Sequence, residues 1–193
     1  MVVFVSGGAR SGKSAVAEAA VRRAAGTQTP YYIATANVSD GEMAARIARH
    51  RRSRGAGWAT LEAPLWLTPP VEQVPNGGAA LIDCLTLWAS QVLYPQADDA
   101  RHPSPEQALC DLAACIDAAR RRAIALVLVS NDLNEALLPT DEASAETWRY
   151  VAFLQRAHRL VAGRADSVRE VIAGQGVEWK PASMSDHAGG LCR

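Results

Sequence analysis

The stretch Val5–Ser14 reads VSGGARSGKS and lies between an apolar β-branched run and a long alanine-rich segment. Within it, Gly7-Gly8-Ala9-Arg10-Ser11-Gly12-Lys13-Ser14 fits the pattern G-x-x-x-x-G-K-[ST]. The preceding MVVFVS predicts a buried parallel strand, and the following KSAVAEAAVRRAA predicts a helix that stops near Gly26. A strand, a glycine loop and a helix in that order form a phosphate cradle. The glycines allow successive amides to point inward, and the helix N-terminus adds positive potential. Lys13 can reach β- and γ-phosphates, and the Ser14 hydroxyl can ligate Mg²⁺.

Working outward, YYIAT (Tyr31 to Thr35), AALIDC (Ala79 to Cys84) and AIALVLVSN (Ala123 to Asn131) read as further strands. LTLWASQVLY, EQALCDLAACIDAARRR and the stretch from about 143 to 163 read as helices. SVREVIAG and VEWK suggest a closing pair of strands around Gly174 to Gly176. SDGEMAARIARHRRSR opens with a capping box, Ser39 with Glu42 three residues on, and predicts a helix over about 40–54. Residues 97–105 read as an exposed loop. Strands alternating with helices predict a three-layer α/β fold of the P-loop NTPase (RecA-like) kind with a mainly parallel sheet. One catalytic domain over 1–180 and a flexible tail over 181–193 are expected.

The chain has 193 residues, 49% of them hydrophobic, and its 20 basic residues balance 20 acidic ones. That balance argues against general affinity for nucleic acid or an anionic membrane. The apolar start is too short for a signal sequence, and no stretch approaches the ~20 apolar residues of a membrane span. Cys84, Cys110, Cys115 and Cys192 form no C-x-x-C pair and are expected to be small buried hydrophobes in a reducing cytoplasm.

A second acid normally completes a phosphate-loop site from the end of another strand. Asp83 is the candidate, acting through water on Mg²⁺ or directly against the nucleotide; capping the helix after it is the structural alternative.

The segment RIARHRRSR (Arg46 to Arg54) packs five arginines into nine residues around His50. On a helix Arg46 and Arg54 share the side of His50, while Met43 and Ile47 place it at the edge of a buried face. A solvated basic helix end is one reading of this pattern. The other is a nucleophile: neighbouring cations disfavour imidazolium, so His50 would be neutral near pH 7, and the arginines would hold the phosphates of the nucleotide it attacks.

The segments GGARSGKS, YIAT, DGEMAARIARHRRSRGAGWATLEAP, LIDCLTLW and LVSND together resemble the bifunctional adenosylcobinamide kinase / adenosylcobinamide-phosphate guanylyltransferase family of cobalamin biosynthesis. The resemblance covers about the first 135 residues. It implies that ATP or GTP phosphorylates the aminopropanol hydroxyl of adenosylcobinamide. A histidine then takes GMP from GTP with release of pyrophosphate, and the GMP passes to the cobinamide phosphate. By resemblance His50 is the guanylylated residue and Lys13 serves the triphosphate. Ala34, Thr35, Ala36, Arg51, Arg52, Ser53, Arg54, Glu62 and Asp83 match positions around GTP, and a homotrimer is implied.

The second half departs from the family pattern. DLNEALLP stands where the family has E-V-G-x-G-[IV]-V-P, and WRYVAFLQRAHR stands where it has R-x-F-R-D-x-x-G-x-x-N-Q. Gln91 replaces the Asn after LTLW. Two other functions fit the residues: another small-molecule P-loop kinase, or a nucleotide-dependent switch or scaffold without a small-molecule acceptor.

Overall fold

The computed structural model describes residues 1–36, 57–95, 102–132 and 145–180. The predicted helix over 40–54, with His50 and the arginines, lies outside the described residues, as does the tail from 181.

Seven strands form one sheet in the order β3-β2-β4-β5-β1-β6-β7. They are β1 (Val2–Gly7), β2 (Tyr31–Ala34), β3 (Ala59–Glu62), β4 (Ala79–Asp83), β5 (Ala125–Asn131), β6 (Ser167–Ile172) and β7 (Gln175–Lys180). Every pairing is parallel except β6 with β7. The fold is therefore the expected α/β one, with a mainly parallel central sheet between helical layers.

The central strands are apolar on both faces because helices cover both. Val2, Phe4, Ala80, Ile82, Leu126 and Leu128 enter the larger core. Their neighbours Val3, Val5, Ala79, Leu81, Val127 and Val129 enter the smaller one. On the smaller side packs α1 (Lys13–Ala25), through Ala17, Val21 and Ala25. Its alanine-rich sequence favours helix, and Gly26, at φ 58°, ends it.

On the larger side pack α2 (Thr68–Gln73), α3 (Leu85–Leu93), α4 (Pro105–Arg121) and α5 (Ala145–Arg164). Trp88 of α3 is fully buried there. Its ring lies 5.5 Å from that of Phe153, and its Nε1 donates to the Leu65 carbonyl at 2.8 Å.

Two elements, β3 and α2, carry little signal in the sequence pattern. β3 is a four-residue edge strand with only half its positions partly buried. α2 contains Pro69 and Pro70, which are tolerated in a first turn because no helical amide is needed there. The amides of Leu67 and Thr68 are satisfied instead by Asp111 of α4, at 2.6 and 3.3 Å.

Some boundaries move. β5 begins at Ala125, after Ala123 at φ 55°. The expected exposed loop over 97–105 ends early: Pro103 is buried, Ser104 forms a capping box with Gln107, and Pro105 begins α4. Of the cysteines, Cys115 is buried, Cys84 is half-buried and Cys110 is exposed; Cys192 lies outside the described residues.

Candidate active site

β1 delivers the chain to Gly7 at the carboxyl edge of the sheet, where ligand crevices of open α/β sheets form. A Cβ on Gly7 would lie 2.4 Å from the Val171 carbonyl oxygen and 2.7 Å from Ser11 Oγ, so only glycine fits. Arg10 and Gly12 take positive φ, 61° and 92°. The loop folds on itself: the Ser11 amide donates to Gly8 O at 3.2 Å, and buried Lys13 sends Nζ to the same oxygen at 2.9 Å.

Its neighbours hold it from outside through backbone groups. The Asp132 amide donates to Gly7 O at 2.9 Å, and the Gly174 amide, in the β6–β7 turn, donates to Ser11 O at 2.7 Å. Ser14 is half-buried in the first turn of α1, while Ala9, Arg10 and Gly12 are exposed.

The rest of the rim comes from β2, β3 and β4. Ala34 pairs in register with Glu62 on one side and Asp83 on the other. Asp83 ends β4, and Tyr32 OH donates to its Oδ2 at 3.0 Å. The capping alternative does not hold: Cys84 is the N-cap of α3, and no side chain caps that helix.

Thr35, fully buried, ties β2 to the residue after β4. Its hydroxyl donates to Cys84 O at 2.9 Å and accepts the Cys84 amide at 2.8 Å. Gln91 Nε2 donates to the Thr35 carbonyl, and the Gln91 carbonyl meets His102 Nε2 at 3.0 Å. The residue marked as a departure from the family pattern thus bears on the rim itself.

Burial shifts the titration of two groups near the rim. Burial first, then the negative charge of Asp83, pushes the Cys84 thiol up from its usual range. His158 is neutral because burial lowers its pKa to about 4, against a smaller opposite pull from Asp132. It faces the larger core, where Nε2 meets Ser130 Oγ at 2.7 Å and the ring lies 5.4 Å from Phe4.

The structure therefore brings Gly7, Gly8, Ala9, Arg10, Ser11, Gly12, Lys13, Ser14, Ala34, Thr35, Ala36, Glu62 and Asp83 to the carboxyl edge of one sheet. His50, Arg51, Arg52, Ser53 and Arg54 lie outside the described residues. Sequence reading marked Gln91 only as a departure from the family pattern, and missed its bond to Thr35, the Tyr32 bond to Asp83 and the backbone contacts of Asp132 and Gly174. Only the two-residue spacing of Tyr32 from Ala34 could have signalled one of them.

The family model for cobinamide kinase / cobinamide phosphate guanyltransferase matches residues 3–179. The chain belongs to this family. Among its relatives, the bifunctional adenosylcobalamin biosynthesis protein CobP of Pseudomonas aeruginosa is 39% identical over 173 residues, covering 89% of this chain and 92% of that protein. The bifunctional adenosylcobalamin biosynthesis proteins CobU of Salmonella typhimurium and Escherichia coli are 34% and 32% identical, each match covering 93% of this chain and all of theirs. Among solved structures, an ATPase domain has a TM-score of 0.47 at 10% identity, covering 94% of this chain and 77% of that one. The cobinamide kinase family match extends past Asp132, so the divergent second half remains inside it. Among the described residues no helix is long and apolar enough to cross a membrane.

Proposed function

We propose that this chain phosphorylates the aminopropanol hydroxyl of adenosylcobinamide with ATP or GTP. It then transfers GMP from GTP to the product through a guanylyl-histidine at His50. The observation that carries the kinase half is the phosphate loop and Asp83 on the same sheet edge, two strands apart, in a member of a cobinamide kinase family.

In the first reaction the loop amides and Lys13 hold the triphosphate while the acceptor hydroxyl attacks the γ-phosphorus. The nucleoside diphosphate leaves with the electron pair of the broken bond, and the hydroxyl proton passes to water. Ser14 and Asp83 would hold Mg²⁺. A hydroxyl and a carboxylate are hard oxygen donors, and Mg²⁺ takes few protein ligands beside phosphates and waters, so the residues present fit it. Among the described residues no cluster of three His, Cys, Asp or Glu side chains offers a different metal site. When bound, Mg²⁺ neutralises charge on the phosphates.

In the second reaction a ring nitrogen of His50 attacks the α-phosphorus and pyrophosphate departs. A phosphate oxygen of the cobinamide phosphate then displaces the imidazole, forming the new P–O–P bond. Arg51, Arg52 and Arg54 would balance phosphate charge, with Ser53, Ala34, Thr35, Ala36 and Glu62 around the nucleotide. We place the reaction in the cytoplasm, in one catalytic unit over 1–180 that assembles as a homotrimer.

Incubation with α-labelled GTP tests this reading. An acid-labile, base-stable label on the protein is expected, discharged by adenosylcobinamide phosphate and absent from His50→Ala. An unlabelled wild-type protein that phosphorylates some other small alcohol would instead favour a plain P-loop kinase.

A further inference from the structure

β5 runs between β1 and β4 and ends Val129-Ser130-Asn131 at the same sheet edge as the phosphate loop. Along it Leu126 and Leu128 enter the larger core, and Ser130 meets His158 on that side. Val127 and Val129 enter the core beneath α1. Side chains alternate along a strand, so Asn131 falls on the α1 side.

Alternation along β4 puts Asp83 on the same side. Ala79 and Leu81 enter the α1-side core, as does Tyr32, whose hydroxyl holds the Asp83 carboxylate. Asn131 is in register with Gly7, the first residue of the loop, and Asp83 is in register with Val129, two residues earlier on β5. Adjacent strands lie about 4.8 Å apart. Asn131 therefore stands on the α1 side, between the strand that carries the loop and the strand that carries the acid.

The backbone at Asn131 is braced on both sides. Ser130 is fully buried against His158, and the Asp132 amide donates to Gly7 O at 2.9 Å. The side chain is half-buried, and among the described residues no side chain engages its carboxamide. A neutral amide suits this place: it brings two N–H donors without the charge repulsion that a carboxylate would exert on a phosphate.

We infer that Asn131 is a catalytic residue of the phosphoryl-transfer step, donating a carboxamide N–H to an oxygen of the γ-phosphoryl group as it passes to the acceptor. The inference rests on the loop being the triphosphate site. The bond from the acceptor oxygen to the γ-phosphorus forms as the bond to the departing nucleoside diphosphate breaks; Asn131 neither gains nor loses a proton. It supplies a carboxamide dipole, carried on a braced stretch of backbone, where charge redistributes.

The test compares wild type with Asn131→Ala and the near-isosteric Asn131→Asp. The readouts are kcat for phosphorylation of adenosylcobinamide, the Kd of a β,γ-imido triphosphate, and thermal unfolding as a check on folding. Asn131→Ala is expected to lower kcat about 10- to 100-fold while Kd changes by less than about threefold, because loss of one preorganised donor is felt mainly in the transition state. Asn131→Asp is expected to lower kcat further and to weaken triphosphate binding. If the alanine variant fails to fold, the aspartate variant carries the test alone.

A folded Asn131→Ala protein with kcat within twofold of wild type would overturn the assignment. So would a Kd that rises as much as kcat falls, since that describes ground-state binding, or an aspartate variant as active as wild type. If wild type makes no adenosylcobinamide phosphate, it is the proposed function that fails. The same ratios are then read on triphosphate hydrolysis, which still decides the role of Asn131.

Discussion

The two faces of the sheet are built by different means. On the α1 side, the phosphate loop is shaped by main-chain groups: Gly8 O receives Ser11 and Lys13, and the amides of Asp132 and Gly174 hold Gly7 and Ser11. On the other side, α5 meets its surroundings through side chains. Phe153 packs its tilted ring against Trp88, Tyr150 OH donates to Thr86 O at 3.1 Å, and His158 meets Ser130. A backbone-shaped region specifies its sequence at the few positions where a Cβ cannot fit. A side-chain-shaped region can change its residues together and keep the fold. This accounts for a chain that keeps GGARSGKS yet reads WRYVAFLQRAHR where its family has another pattern.

By that contrast, the largest loss of stability comes from the side-chain face. Trp88→Ala removes a fully buried ring, its contact with Phe153 and its bond to Leu65. It should cost about 3–5 kcal/mol in urea unfolding, while the surviving folded fraction retains triphosphate binding. On the loop face, Gly7→Ala should cost less stability but more function. The added carbon would strike the Val171 carbonyl, a backbone atom that cannot swing aside. Triphosphate turnover should fall at least about 100-fold, equivalent to about 2.7 kcal/mol of transition-state stabilisation, with unfolding shifted by about 1–3 kcal/mol. Gly7→Ala with full turnover would break the comparison at its centre.

How much was legible follows the same division. β1, the loop and α1 are consecutive, so their chemistry can be read from a dozen residues. Asp83 was legible because a strand pattern ended on it. β3 was not, because ATLE offers a single large apolar residue at a half-buried sheet edge. Nor was α2, whose N-terminus is capped by Asp111 some 43 residues away. At the rim, the Thr35 clasp on Cys84, the bond from Gln91 to Thr35 and the Gly174 contact with the loop all join residues distant in sequence. No local spacing encodes them.

The smallest effect concerns the histidine shared by both regions' supports. His158 braces Ser130 on the side-chain face, and Ser130 sits directly before Asn131 on the strand beside the loop. Burial holds its pKa at about 4, below the ordinary 6.5, with Asp132 pulling weakly the other way. Below pH 6.5 the unfolded chain therefore binds a proton that the folded chain refuses. Stability from this group is complete above about pH 6.5 and is lost as pH falls toward about 4. Between pH 7 and 4.5 the loss should be about 2 kcal/mol, after allowance for partial exposure of the ring. Carboxylates as a class titrate in the same window, so the informative quantity is the difference from His158→Asn. That variant is never charged there and should lose about 2 kcal/mol less over the interval in urea unfolding at each pH. If both proteins fall in parallel, His158 takes up its proton without cost, and the brace behind Ser130 is not the neutral ring.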